Sequence, residues 1–594
     1  MKKSFIRTAL ILALVLTLCL GPVSLGFSAG AASRGTWLTT WGSSLVNGSI
    51  SLGSANFSDI ILAGSTIRTE VPVTTDGRKL IFTFSNQYGN KPITINEASV
   101  ARTKGNGRAN IVDGTQLPIT FNDGDASVTI QPGEKVESDD IIMDTKALEY
   151  ISVSLYFENL TYMSSVGLSN GRTFMKRSLL DGSSQVNSTY FVGANEVNIS
   201  SGTITYHTIP FLEKIESLSS SPDGCTAVFI GDSTLVNNAY LHYAKRIISA
   251  GRSDIGIVNE AVIGNKLLSD GSGIIGNLYG QAMLDRFARD VLDLSAVKYC
   301  FVKIGLNDIL HQFSKTISAT TPKHSAEDII AGYRTLINRC HERGIKIYFF
   351  TKSAWNGYER NFLGSGVDIE WTKQEQDMCD KLTKWVLENK EADGYIDCSP
   401  LADPSDPTKL CSTLTLDGAH LSELGAVALA DLIPLQYVGV GNSGKTAAQI
   451  AGVNPYKEKN EILANMKANE TTTKAPETTT AAPETTTAAP ETTTLPPATT
   501  QPDNSPPPYT VFEQESEEQT VAYEIPGVDT NATEASPPAA PVNQDVNYVV
   551  TDDNSDTRSS IGNGSSIGFI MAFVLVGVVA LTMAALTLFK KKEV

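Results

Sequence analysis

Four short stretches of this 594-residue chain hold side chains that could do chemistry. The first is Ala227 to Ser233, where an apolar run stops at Gly231-Asp232-Ser233. Val228, Phe229 and Ile230 read as a strand buried on both faces, as in a parallel sheet. Gly231 permits a tight exit. Ser233 then lies at the carboxyl end of a strand, where open α/β sheets place their sites. Alone, it reads equally as a helix cap. The second stretch, Asn259 to Asn265, carries Gly264. Its bare N–H can approach a bound group, but an ordinary loop glycine looks the same. The third, Val302 to Asp308, carries Asn307. A side-chain amide can donate two hydrogen bonds; a turn asparagine is the plain alternative. The fourth, Leu416 to His420, sets Asp417 three residues before His420. Such a carboxylate can hold the imidazole Nδ1–H and leave Nε2 as a base. The spacing also arises by chance, and occasionally in a metal half-site. Only six histidines occur, and no other is so placed.

The elements that must position these residues follow from hydrophobic periodicity. After the turn-rich Ser219 to Gly224, short apolar runs alternate with helical patterns. Strands are expected at Val228–Ile230, Ile255–Val258, Tyr299–Ile304, Lys346–Phe350 and Tyr395–Ile396. Helices are expected at Asn237–Ala250, Ser325–Cys340, Trp371–Glu388 and from Ser422. Ser325-Ala326-Glu327-Asp328 comes close to a capping box. This alternation predicts a parallel sheet covered by helices over 224–440. Residues 32–218 differ. Ile67, Thr69, Val71 and Val73 alternate with Arg68, Glu70 and Pro72, and two further runs repeat the period of two. Turn signals at Asp76-Gly77, Gly89-Asn90 and Pro132-Gly133 separate them. An antiparallel β-sandwich is the expected architecture.

In this order and on these elements, the four stretches resemble the GDSL/SGNH family of serine hydrolases. The family's lettered residues fall on Ser233, Gly264, Asn307 and His420, with Asp417 in the place of the triad acid. Gly264 to Leu268 and Arg286 to Leu292 are similar to members with an N-terminal β-sandwich. The resemblance spans about residues 37–435. It implies a flavodoxin-like α/β hydrolase domain acting on carboxylic esters. Ser233 would be the nucleophile, and the Ser233 N–H, the Gly264 N–H and the Asn307 side chain would form an oxyanion hole. It implies no cofactor and no metal. Two departures stand out: Thr234 replaces the usual Ile, and Leu421 the usual Pro. The loop Ser353 to Trp371 reads either as an acyl-pocket wall, through Trp355, Tyr358 and Phe362, or as a packed surface loop.

The chain ends carry addresses. Lys2, Lys3 and Arg7 precede an apolar run and Ala29-Gly30-Ala31, which reads as a signal peptide over 1–31. Residues 567–589 are apolar and long enough to cross a bilayer. The lysines at 590–592 mark 590–594 as a cytoplasmic tail. Residues 441–470 form a spacer or helix. Residues 471–560 are rich in Pro, Thr and Glu, with a seven-residue repeat that has no apolar seam, and read as a disordered stalk. Two motif matches are rejected. Leu495 to Thr499 lacks the glycine of a sortase site and lies far from the span. Gly564 to Gly568 imitates a hydrolase elbow without the required strand and helix.

A net charge of −17 argues against a nucleic-acid surface. Of seven cysteines, Cys19 lies in the leader and six lie between 225 and 411. Cys398 with Cys411 is the first pair to examine for a disulfide, and no Cys-x-x-Cys spacing suggests zinc. The whole reads as a cell-surface, membrane-tethered esterase. A tethered enzyme facing outward meets glycans, so short acyl or acetyl esters on polysaccharide are favoured. The alternatives are lipid acyl hydrolysis and an inert surface-binding protein. Oligomeric state is not encoded legibly.

Overall fold

The computed structural model describes residues 35–473, apart from short stretches at 50, 53–54, 57–61, 106–107, 169, 179–181, 202–203, 274, 362–366 and 442–443. The leader, the stalk beyond residue 473, the apolar segment 567–589, the basic tail and Phe362 lie outside the described residues. Among the described residues, no helix is long and apolar enough to cross a membrane.

The first half folds as two antiparallel sheets around one core. Its main strands are β1 (Thr36–Gly42), β2 (Ser65–Pro72), β3 (Gly77–Ser85), β4 (Glu97–Arg102), β5 (Tyr150–Phe157), β6 (Arg172–Arg177), β7 (Asn195–Ser201), β8 (Ile204–His207) and β9 (Leu212–Ser219). One sheet runs β8-β7-β6-β2-β5-β4, with Leu117–Pro118 at its edge. The other runs β1-β9-β3, and Lys135–Glu137 and Ile141–Thr145 both pair with β3. Alternate residues meet between the sheets: Ile67, Val71, Phe82, Phe84, Val153 and Ile215 are fully buried. That is the period-two pattern in three dimensions.

The opposite face of β2 is also covered, which alternation alone does not reveal. Arg68 is 0% exposed. It donates to Ser154 Oγ at 2.8 Å, the Ala109 carbonyl at 2.8 Å and the Val186 carbonyl at 3.1 Å. Burial brings its pKa down to about 10, against the pull of Glu70. Burial likewise raises Glu70 to about 7, outweighing the nearby Arg172 and Arg68 charges.

The second half alternates strand and helix: β10 (Cys225–Gly231), α1 (Ala239–Ser249), β11 (Ile255–Asn259), α2 (Met283–Phe287), β12 (Val297–Lys303), α3 (Leu306–Phe313), α4 (Ala326–His341), β13 (Lys346–Phe350), α5 (Lys373–Glu388), β14 (Gly394–Ile396) and α6 (Glu423–Leu432). The sheet is parallel in the order β11-β10-β12-β13-β14. Phe229 and Phe301 pack toward α1 and α6 on one face. Val228 and Val302 pack toward α4 and α5 on the other. Each central strand is therefore apolar on both sides, as its sequence requires. α4 starts with a full capping box between Ser325 and Asp328.

Three features differ from the sequence expectations. A single 3₁₀ turn, Ser233–Leu235, separates β10 from α1. α3 begins one residue before Asn307, so Asn307 stands in a helix's first turn and not in a loop. Residues 441–470 contain two helices, α7 (Ala447–Ala451) and α8 (Lys457–Thr473). Cys398 and Cys411 are both buried free thiols.

The halves meet along β1 and β11. The Thr39 N–H donates to Thr226 Oγ1 at 3.1 Å, and the Ile257 N–H to Thr74 Oγ1 at 3.0 Å. Asn170 Nδ2 donates to the carbonyls of Gly42 at 3.0 Å and Asn259 at 2.5 Å. The join runs directly beneath the loop that carries Gly264.

Glu70 provides a stability test. Its folded pKa, about 7, exceeds its ordinary value of 4.5. The folded state thus holds the proton more tightly, and this contribution to stability is lost as pH rises through about 7. Glu70→Gln should be more stable than the parent at pH 8 by on the order of 2 kcal/mol, with the gain vanishing near pH 4. Urea midpoints at the two pH values measure this, and an equal difference at both would contradict it.

Candidate active site

Ser233, Asp417 and His420 come together although Ser233 and His420 lie 187 positions apart in the chain. Gly231 ends β10 where a Cβ would meet the Lys303 carbonyl at 2.4 Å, so the strand exit demands glycine. Asp232, 1% exposed, caps the following turn by accepting from the Thr234 N–H at 2.9 Å and Thr234 Oγ1 at 2.7 Å. The turn leaves Ser233 Oγ pointing at His420 Nε2, 2.8 Å away.

His420 is held from the other side. Its Nδ1 lies 2.7 Å from Asp417 Oδ2. The other carboxylate oxygen, Asp417 Oδ1, accepts from the backbone N–H groups of Ala419 at 3.1 Å and His420 at 2.9 Å. Burial works against ionisation of Asp417, but the His420 hydrogen bond and charge and these N–H groups outweigh it and lower its pKa. The carboxylate therefore stays charged and fixes an N–H on Nδ1, which leaves Nε2 as an acceptor. Gly418 takes φ 96°, and a Cβ there would lie 2.7 Å from the Gly357 carbonyl carbon and the Tyr358 nitrogen. The His420 loop and the 353–371 loop thus touch backbone to backbone. Tyr358 stands edge-on to the imidazole, with centroids 5.6 Å apart. Trp355 does not share that position. It is 1% exposed and packed in the core.

Gly264 has φ 62°, and a Cβ would lie 2.1 Å from the Tyr279 ring. Asn307 Nδ2 donates to the Asn265 carbonyl at 3.1 Å, which spends one N–H on the Gly264 loop and leaves the second for a ligand. Asp308, 0% exposed, clamps the same loop by accepting from the Leu267 and Leu268 N–H groups at 2.8–3.0 Å. Sequence reading gave Asp308 no role, although its place beside Asn307 was a usable signal.

The Thr234 departure also has a physical reason. Lys303, 3% exposed at the end of β12, donates from Nζ to Thr234 Oγ1 at 2.7 Å. The hydroxyl in turn donates to Asp232. An isoleucine would leave this ammonium without its acceptor. Burial pushes the Lys303 ammonium below its ordinary value, and nearby Cys398 and Asp232 oppose the shift. A lysine directly after the apolar run Tyr299–Val302 was the sequence clue.

Residues 228–433 match the family model for GDSL-like lipases and acylhydrolases. The match lies on the α/β half, the part of the chain that carries Ser233, Asp417 and His420, and supports a carboxylic ester hydrolase. No curated protein matches the chain. Solved structures with a similar fold include a variant of an acetyl xylan esterase from Geobacillus stearothermophilus, at 18% identity, 37% of this chain, 99% of that one and TM-score 0.28. The acetyl xylan esterase AlAXEase gives 18% identity, 35%, 96% and 0.26. A GDSL-like lipase from Bacteroides thetaiotaomicron gives 14%, 36%, 87% and 0.25.

The Asp232–Thr234–Lys303 chain can be tested as a unit. Thr234→Val should cost about 1–3 kcal/mol by leaving the buried Lys303 ammonium without this acceptor, while Asp232 keeps only the residue-234 backbone N–H. Adding Lys303→Met should recover part of that loss. Urea denaturation of the single and double variants measures it, and strictly additive losses would dissolve the unit.

Proposed function

We propose that this protein hydrolyses short acyl esters at Ser233 through an acyl-enzyme. The observation that carries the reading is the unbroken hydrogen-bond chain from Ser233 Oγ through His420 to Asp417. A serine hydroxyl is a poor nucleophile until a base removes its proton. Ser233 Oγ attacks the acyl carbon as its proton passes to His420 Nε2. Asp417 orients the imidazole and stabilises the imidazolium. The carbonyl oxygen becomes an oxyanion, for which the N–H groups of Ser233 and Gly264 and the free N–H of Asn307 are the donors. His420 then returns its proton to the departing alcohol oxygen. Water enters, loses a proton to His420 and attacks the acyl-enzyme, and the acid and Ser233 are released.

The substrate reading rests on a cleft of about 280 Å³ next to the triad. Asn170, Tyr206 and His207 of the sandwich line one side, and Asn237, Asn238 and Glu423 line the other. Leu416 and Leu421, which flank Asp417 and His420, also line it, with Leu168 and Val236. The polar side chains in this mixed lining suit a hydroxylated alcohol, whereas a fatty chain calls for a longer apolar slot. Acetylated or otherwise short-acylated glycans fit this cleft better than lipids.

Ser233→Ala should fold normally and lose esterase activity and fluorophosphonate labelling. Asn307→Ala should lower kcat by roughly 10²–10³ with little change in KM, because the donor acts mainly in the transition state. Turnover by Ser233→Ala, or a KM effect alone for Asn307→Ala, would contradict these roles. Acetylated xylooligosaccharides and p-nitrophenyl esters of graded chain length test the substrate class. A kcat/KM that rises steadily toward long chains would favour a lipid substrate.

The proposal places this domain outside the cell, tethered by residues 567–589. The support is the basic-apolar leader, the Pro/Thr/Glu-rich 471–560 and the lysines at 590–592. Protease added to intact, wall-stripped cells should then release an active fragment ending before about residue 560. Release only after lysis would reverse the orientation.

A further inference from the structure

Arg286 belongs to a sequence run that the triad leaves unexplained, and it is 1% exposed. A guanidinium carries five N–H donors and no acceptor, so burying it requires acceptors on several sides. Its Nε donates to Asn265 Oδ1 at 3.1 Å. One terminal nitrogen donates to the Glu260 carbonyl, Ser44 Oγ and Asp290 Oδ2, each at 2.8 Å. The other donates to the Gly231 carbonyl at 3.2 Å. Gly231 lies two residues before Ser233, and Asn265 follows Gly264. One rigid, planar group thus spans the two loops that carry the nucleophile and the second oxyanion N–H.

The sandwich completes this cluster. Ser44, in the loop after β1, accepts from Arg286 and lies 2.8 Å from Asp290 Oδ2 and 2.9 Å from Glu260 Oε2. At Gly42 a Cβ would lie 2.1 Å from Glu260 Oε1, so the carboxyl occupies space that glycine leaves open. Tyr88 Oη accepts from Arg289 at 3.2 Å, and Arg289 also pairs with Asp290 at 2.5 Å. A π-helical turn over Ala288–Leu292 carries Arg289 and Asp290. Such turns are frequent at functional sites.

We propose that Arg286 is a positioning residue that fixes the oxyanion site relative to Ser233, and that Ser44 of the β-sandwich is part of the same device. The two halves then form one catalytic unit. This rests on the oxyanion roles given to Gly264 and Asn307 above. Catalysis depends on placement to fractions of an ångström, and a 1 Å error costs about 100-fold.

The test uses the full chain and the variants Ser44→Ala, Arg286→Lys and Arg286→Met. Active sites are titrated with a fluorophosphonate, and kcat per titrated site, KM and the Ki of phenylboronic acid are measured. The boronate forms a tetrahedral adduct on serine and so probes the oxyanion site. Ser44→Ala is the smallest change; it should keep its far-UV spectrum, lose about tenfold in kcat, hold KM within about twofold and bind boronate more weakly in parallel. Arg286→Lys should lose about 100-fold and exceed Arg286→Met in activity. Unchanged kcat per titrated site, with only fewer active sites or a lower melting temperature, would make the cluster purely structural and overturn the proposal. A lower kcat with unchanged boronate affinity would also overturn it. A parent enzyme that neither labels at Ser233 nor binds boronate would defeat the esterase reading itself, and this proposal with it.

Discussion

A buried guanidinium cannot be left with unfilled donors, and in this protein that requirement reaches into both halves of the fold. Arg286 takes its acceptors from the loop after β1, the exit of β10 and the loop after β11. Losing one of these neutral acceptors weakens the hydrogen bonding of a buried charged donor, which costs about 1–3 kcal/mol, while Asp290 keeps the charge paired. The loops therefore have little freedom relative to one another. Two carboxylates share the space. Burial and the Asp290 charge push Glu260 well above its ordinary value. Asp290 is held below its ordinary value: burial opposes ionisation, but Arg289 and Arg286 overcome it.

The triad depends on a second constraint, the contact between the loop that carries His420 and its neighbours. Ser422 caps α6 by accepting from the Gly425 N–H at 3.1 Å. In the first turn of that helix, Glu423 reaches His242 Nε2 at 2.8 Å and accepts from Asn238 Nδ2 at 2.9 Å. α1 and α6 are thus joined beside the catalytic residues at their amino ends. Ser233 and His420 each lie a few residues before such a helix, and the helices share one apolar layer on the sheet. Packing brings the hydroxyl and imidazole close, and these polar contacts set the last ångström.

The β-sandwich has more than a packing role in this geometry. Tyr206 is buried, and that burial raises its hydroxyl's pKa, with the Asp417 carboxylate acting in the same direction. Its neighbour His207 lies 2.7 Å from Glu196 Oε1. Burial opposes ionisation of Glu196, but hydrogen bonds from His207 and Arg172 overcome it and bring the carboxyl to about 2. A sandwich edge with fixed charge thus faces the cleft beside the triad. The β-rich half reads in sequence as a separate module; in space it walls the site.

By itself the sequence determined the local grammar. Apolar runs of the right length and the capping residues of α4 specified the alternating strands and helices. Period-two runs specified antiparallel strands. Ser233, Gly264, Asn307 and the Asp417–His420 pair were each ambiguous alone, and the resemblance of their order and spacing to a known family singled them out. Only tertiary structure decided which of the remaining groups matter. Trp355 lies in an irregular loop and is 1% exposed, so its burial could not be read from periodicity. Arg286, Ser44 and Glu260 draw their meaning from partners up to 246 residues apart. Lys303 and Thr234 explain each other only because parallel pairing sets β10 beside β12. Local patterns encode backbone preference and amphipathic faces. Enclosure of a charge or an aromatic ring depends on distant segments, and no short window of sequence contains it.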